Sequence, residues 1–197
     1  EKNLNKYINS IGVGDNIDVK KPFVMIMYYP VTSEFGKGET QVMNLLKALD
    51  KFDIQKIFFW PNSDAGYEDI SRGIRKWREK NKDNKTKFIK NLEQKYFYHF
   101  LNKSKCLIGN SSSGLREGCY IGVKNICIGT RQNGREIGKN TIMIKSDYKS
   151  ILNSLKKTLN YKNKFKKDYR YGKGNSGKQI IKILEKIEIS SQKKLNF

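Results

Sequence analysis

Residues 106–140 hold the densest run of groups able to bind an anion. The apolar stretch Cys106–Ile108 ends in Gly109 and Asn110. Ser111, Ser112, Ser113 and Gly114 follow, and then a segment compatible with a helix carries Arg116 and Glu117. A second apolar stretch, Asn125–Ile128, leads into the polar loop Gly129-Thr130-Arg131-Gln132. Strand, serine turn, helix, strand, polar loop is how an α/β protein builds a phosphate site at the carboxyl ends of its strands. Hydroxyls and free backbone N–H groups at Ser111–Gly114 suit a phosphate. An ordinary serine N-cap is the alternative, and it accounts for one serine better than for three and a glycine. Glu117 could accept hydrogen bonds from sugar hydroxyls, as a carboxylate does for ribose, or could simply favour the positive end of the helix dipole. Arg131 could fork onto a phosphate, pair with Glu117, or be a plain surface arginine.

These groups need elements to position them. Phe23–Tyr28 is a nearly continuous apolar run, as in a strand buried on both faces, and Pro30 ends it. Further strands are expected at 56–60, 86–89, 106–108, 125–128 and 141–144. Helical spacing of apolar residues marks 39–49, the segment around Ile70, Ile74 and Trp77, 93–101, 148–159 and 179–187. Strands alternating with helices of this length predict parallel βαβ units with right-handed crossovers, an α/β, Rossmann-like sheet with flanking helices. No repeat of 20 to 50 residues is present.

Every loop that follows a predicted strand is polar. Tyr29-Pro30-Val31-Thr32-Ser33-Glu34 follows the first, and Pro61-Asn62-Ser63-Asp64-Ala65-Gly66 the second. In an open α/β sheet such loops share one edge, where ligands bind. On their own, Asn62 and Asp64 read best as an Asx turn.

The bulk numbers narrow the function classes. A length of 197 residues suits one α/β domain. No apolar run approaches the roughly 20 residues of a membrane helix, and the start lacks a signal-peptide pattern. The single His99 and the three cysteines, Cys106, Cys119 and Cys127, offer no metal site, disulfide framework or histidine triad. Cys106 and Cys127 read as small core residues in a reducing cytoplasm, and His99 as a packing or surface residue. Lys173 lies among glycines, but at the wrong spacing for a phosphate-binding Walker loop. The net charge of +21 could serve nucleic acid or an anionic membrane surface. The lysines are scattered along the whole chain among many Asn and Ile residues, which favours a compositional bias over a nucleic-acid surface.

Taken together the loops resemble the C-terminal half of the hydrolysing UDP-N-acetylglucosamine 2-epimerases of sialic- and legionaminic-acid pathways. The matching pieces are Tyr29–Glu34, Pro61–Gly66, Gly109–Glu117, Gly129–Glu136 and Tyr171–Asn175, in order along the chain. The resemblance implies the C-terminal half of a GT-B-like fold, with a UDP-sugar in the cleft between two Rossmann-like halves and no cofactor. Residues 1–21 would be the helix and hinge from a missing N-terminal half, 22–187 the nucleotide-diphosphate-binding domain and 188–197 a tail. By position Ser111 and Ser112 look like the diphosphate-contacting serines and Glu117 like the ribose-binding acid. Arg131 and Asn62 fall at two other active-site positions, and the base would lie near Asn91–Leu92. The motif at Tyr29 usually begins with His. The family reaction removes a proton from C2, expels the nucleotide diphosphate to leave a 2-acetamidoglucal, and adds water with inversion. Its acid–base carboxylates belong to the N-terminal half, so this chain alone would bind UDP weakly without turnover. The resemblance also suggests a homodimer.

Overall fold

In a computed structural model, residues 2–81, 85–161 and 163–187 are described; the expected tail, 188–197, lies outside them. The chain begins with helix α1 (Lys2–Ser10) and a two-residue strand β1 (Val13–Gly14). Six further strands follow: β2 (Phe23–Met27), β3 (Gln55–Phe59), β4 (Thr86–Ile89), β5 (Leu107–Gly109), β6 (Asn125–Ile128) and β7 (Thr141–Ile144). Helices α2 (Gly38–Leu49), α3 (Tyr67–Lys80) and α4 (Gln94–Lys103) link the first four of these. The short helices α5 (Ser112–Leu115) and α6 (Glu117–Ile121) lie between β5 and β6, and α7 (Tyr148–Asn160) and α8 (Ser176–Leu184) close the chain.

The sheet order is β1-β4-β3-β2-β5-β6-β7, with β2 to β7 all parallel and β1 antiparallel at one edge. Among the parallel strands this is the doubly wound Rossmann order, which reverses between β2 and β5. The expected α/β sheet is therefore present. Two details differ from expectation. Strand β1 was not anticipated, because two exposed residues carry no period. The helix expected to carry Arg116 and Glu117 is broken at Arg116, whose ψ of −75° separates α5 from α6.

Strand β2 shows why its sequence reads as one apolar block. Val24 and Ile26 bury into one face with Leu45, Leu49, Ile74 and Trp77 of α2 and α3 and Ile151 and Leu155 of α7. Phe23, Met25 and Met27 bury into the other with Leu4 and Ile8 of α1 and Phe100 and Leu101 of α4. The side chains alternate between two cores, one on each face of the sheet. Residues before β2 join the second core through Ile17 and Val19. The Gln55 carboxamide fixes them by accepting from Asp18 N at 2.7 Å and donating to Asp18 O at 2.9 Å.

Helix α7 starts at Asp147, whose carboxylate accepts from Ser150 N at 2.8 Å and Ser150 Oγ at 2.7 Å. Those contacts hold its carboxyl below the ordinary range. Asp147→Ala is expected to lower stability by removing this cap, read as a drop in the urea midpoint with unchanged slope.

Candidate functional site

The sheet order reverses between β2 and β5, so the loops after these two strands splay apart and leave a crevice. Gly109 ends β5 at φ +137°, and a Cβ there would lie 2.0 Å from the Met27 carbonyl oxygen. That close approach lets Asn110 enter the interior beside Tyr29. Tyr29 N donates to Asn110 Oδ1 at 2.8 Å, and Asn110 Nδ2 donates to Tyr29 O at 2.7 Å. Burial pushes the half-buried Tyr29 phenol above its ordinary value of 10, with the Arg131 charge opposing.

Arg131 comes from the loop after β6. Its guanidinium lies 5.5 Å from the Tyr29 ring centroid, donates to Asn110 O at 3.4 Å and sits 3.6 Å from an Asp64 carboxylate oxygen. Asp64 in turn accepts from Asn62 Nδ2 at 2.7 Å. The loops after β2, β3, β5 and β6 thus converge on Arg131, joining Tyr29, Asn62 through Asp64, and the carbonyl of Asn110. Of the readings left open for Arg131, a pair with Glu117 is not what the structure shows: the ion pair is with Asp64.

The serine turn is set by residues beneath it. Ser111 Oγ accepts from Ser113 N at 3.2 Å, so this serine is an N-cap. Gly114 sits directly over Asn125 of β6, where a Cβ would be 2.1 Å from Asn125 Oδ1. Asn140 donates to both Gly114 O at 3.1 Å and Val123 O at 2.7 Å, tying α5 down. Ser112 and Ser113 are half-buried at the helix start.

Glu117 opens α6 with its Oε2 buried and without a hydrogen-bond partner in the structure. It stands between two clefts. One, about 490 Å³, is lined by Tyr29, Asn91, Leu92, Tyr98, Ser113 and Glu117 among others. The other, about 470 Å³, is lined by Glu117, Tyr98, Tyr120, Tyr171 and Gly172, with Ser176 at the start of α8. Tyr29, Glu117 and the Asn91–Leu92 loop therefore share one cleft at the carboxyl edge of the sheet. Of the three serines, Ser113 is the one that lines it.

Four residues that sequence reasoning quoted without a role hold this edge together. They are Asn110, Gln132, Glu34 and Thr130. Glu34 accepts hydrogen bonds from the Thr130 hydroxyl and the Gln41 amide, bridging the loops after β2 and β6. These donors hold its carboxyl below its ordinary value of 4.5. A carboxyl depressed in the folded state stabilises above its unfolded pKa, and that contribution fades as pH falls through the folded one. Wild type should therefore exceed Glu34→Gln in urea midpoint at pH 7, and the gap should narrow below pH 4.5. A gap independent of pH would remove the carboxylate from the clasp.

His99 is exposed on α4, while Cys106 and Cys127 are buried, their thiols pushed up to about 12 and about 11 by desolvation. Among the described residues no group of three His, Cys, Asp or Glu could hold a metal ion, and no helix is long and apolar enough to cross a membrane.

Comparison with known proteins bears on this site. The family model described as UDP-N-acetylglucosamine 2-epimerase matches residues 2–185. A UDP-N,N'-diacetylbacillosamine 2-epimerase (hydrolyzing) of Legionella pneumophila is 31% identical over 175 residues, covering 89% of this chain and 45% of that protein. A UDP-N-acetylglucosamine 2-epimerase of Neisseria meningitidis is 30% identical over 176 residues, covering 85% and 45%. In structure, the UDP-GlcNAc 2-epimerase from Neisseria meningitidis bound to UDP-GlcNAc superposes with a TM-score of 0.70 at 13% identity, over 94% of this chain and 49% of that one. That likeness shows the fold, one Rossmann-like half of a GT-B-like architecture. The chain spans a little under half the length of these relatives. With the family model covering almost every described residue, this chain belongs to the UDP-N-acetylglucosamine 2-epimerase family.

Proposed function

We propose that this chain is the UDP-binding, C-terminal half of a hydrolysing UDP-N-acetylglucosamine 2-epimerase. The substrate would be UDP-GlcNAc or a diacetamido analogue, converted with water to a ManNAc-type sugar and UDP by elimination and hydration. The observation that carries this reading is the convergence on Arg131 of loops from four strands, beside a cleft that Tyr29 and Glu117 share.

Each group then has a task. Ser111 and Ser112 serve the diphosphate in different ways: Ser111 holds the turn as its N-cap, Ser112 offers its hydroxyl and N–H, and Arg131 supplies a forked positive charge. Tyr29 donates a neutral hydrogen bond to the same diphosphate. Glu117, with one oxygen unpartnered, accepts from the ribose hydroxyls. Asn62 holds Asp64 against Arg131 and faces the same edge. As the C–O bond at the sugar anomeric carbon breaks, negative charge grows on the departing diphosphate. Donors fixed in advance stabilise that charge without reorganising. The base lies along Asn91–Leu92.

Proton removal from C2 and delivery of water belong to an N-terminal half, to which residues 1–21 lead. Helix α8 supports such a partner surface: Ile180, Ile181, Ile183 and Leu184 are each more than half exposed, an apolar face that a soluble helix ordinarily covers. The unpaired cysteines fit a reducing, cytoplasmic setting.

Calorimetry of the chain with UDP tests the binding claim, and heat with RNA but none with UDP would overturn it. Joining an N-terminal half and assaying UDP release from UDP-GlcNAc tests the reaction. A second reading, a sugar-nucleotide-binding relative without turnover, is favoured by Tyr29, which carries no positive charge where the family motif usually has His. UDP release only after Tyr29→His would establish that reading.

A further inference from the structure

Asn110 follows β5 and is completely buried. Pairing between β2 and β5 ends at Met27 and Gly109, and Pro30 has no N–H to offer. The peptide groups on either side of Tyr29 would therefore lack partners, a costly state for buried backbone. Asn110 supplies them with its side chain, accepting from Tyr29 N at 2.8 Å and donating to Tyr29 O at 2.7 Å. Its own N–H donates to Met27 O at 3.0 Å. Its carbonyl faces the other way, accepting from Gln132 Nε2 at 2.7 Å and Arg131 Nη1 at 3.4 Å. One residue thus grips the Tyr29 loop with its carboxamide and the Arg131 loop with its carbonyl, across the point where the sheet order reverses.

Gln132 is 1% exposed and is oriented by the same contact. Only its amide nitrogen can donate to Asn110 O, so Oε1 faces the interior and has no partner in the structure. A carboxamide offers a donor and an acceptor side by side without any change of protonation. Asn110→Leu keeps the size and removes both groups from the Tyr29 loop.

We propose that Asn110, backed by Gln132, is a positioning residue of the diphosphate site: it sets the spacing at which Tyr29 and Arg131 reach one diphosphate. This rests on the reading of the site as a UDP site. A lost hydrogen bond to a charged group costs about tenfold to a hundredfold in affinity, and here the loss falls only on ligands that carry the diphosphate.

The test compares UDP with uridine on the full 197-residue chain by NMR titration. Asn110→Leu is expected to weaken UDP by about tenfold or more while uridine stays within about twofold. Gln132→Met adds no charge and removes only the backing contact. It is expected to weaken UDP by about threefold to tenfold, again sparing uridine, and it carries the test if Asn110→Leu does not fold. Equal losses for UDP and uridine would reduce the pair to general stability and overturn the proposal. So would unchanged UDP affinity in folded variants. If wild type binds neither ligand, the UDP reading itself falls, an outcome separate from the other two.

Discussion

Tyr29→His is expected to make UDP affinity rise steeply as pH falls, relative to the native chain. The native phenol cannot do this. Burial raises it above its ordinary value of 10, so it stays neutral and donates one hydrogen bond throughout the working range. An imidazole in its place ionises near 6.5 when unperturbed. The Arg131 guanidinium, 5.5 Å from the ring it would replace, pushes that value down, and a bound diphosphate pulls it up. Free Tyr29→His is therefore largely neutral at pH 8 and charges on binding at lower pH. Both side chains donate to a charged diphosphate, and what the charged imidazole adds is a charge–charge attraction of about 1 kcal/mol at 4 Å in bulk water and more where the site excludes water. The ratio of variant to native affinity should therefore climb about fivefold or more between pH 8.5 and pH 5.5. Protonation of UDP itself, near pH 6 for phosphate monoesters, affects both proteins and cancels in the ratio. Calorimetry at the two pH values decides it. A ratio that stays flat would mean that position 29 does not face the diphosphate.

What the sequence revealed and what it hid divide along a physical line. Strands β2 to β6 were legible because burial on both faces favours apolar runs, and Pro30 and Pro61 punctuate two of them; the partly exposed edge strand β7 was marked by Ile142, Met143 and Ile144 alone. Their loops were legible as a ligand edge because parallel strands point their carboxyl ends the same way. Long-range pairing was not legible. Nothing near Arg131 in sequence indicates that its ionic partner is Asp64, which belongs to another βα loop. The break at Arg116 is likewise a tertiary effect: Gly114 is seated on Asn125, which opens β6, and tethered by Asn140, just before β7. Asn110 was hidden by its type. Asparagine is mostly a surface residue, and only the missing ladder partners of Tyr29 explain why one is buried here. Strand β1 left no pattern because Val13 and Gly14 are exposed and bind only through their backbone.

Gly109→Ala is expected to abolish folding, and Gly129→Ala to be tolerated, although one glycine ends β5, the other directly follows β6, and both adopt a conformation that favours glycine. Gly129 has φ +76°, and nothing lies within 4 Å of the space its Cβ would take. The cost there is the left-handed strain alone, about 1–2 kcal/mol. Gly109, at φ +137°, would place a Cβ 2.0 Å from Met27 O, 2.6 Å from its carbonyl carbon and 3.2 Å from Tyr28 N. All three are backbone atoms of the central neighbouring strand, so no side chain can swing aside. Relief requires β5 to move away from β2. That movement would break the Met25–Leu107 to Met27–Gly109 register and withdraw Asn110 from Tyr29. The penalty should exceed about 4 kcal/mol, a large part of the 5–15 kcal/mol that holds a domain of this kind together. Urea denaturation of the two variants, with soluble yield as the first reading, compares them directly. Similar midpoints for both would show that β5 is not pressed against β2 at Gly109, and the crevice at the reversal of strand order would then be wider than the structure has it.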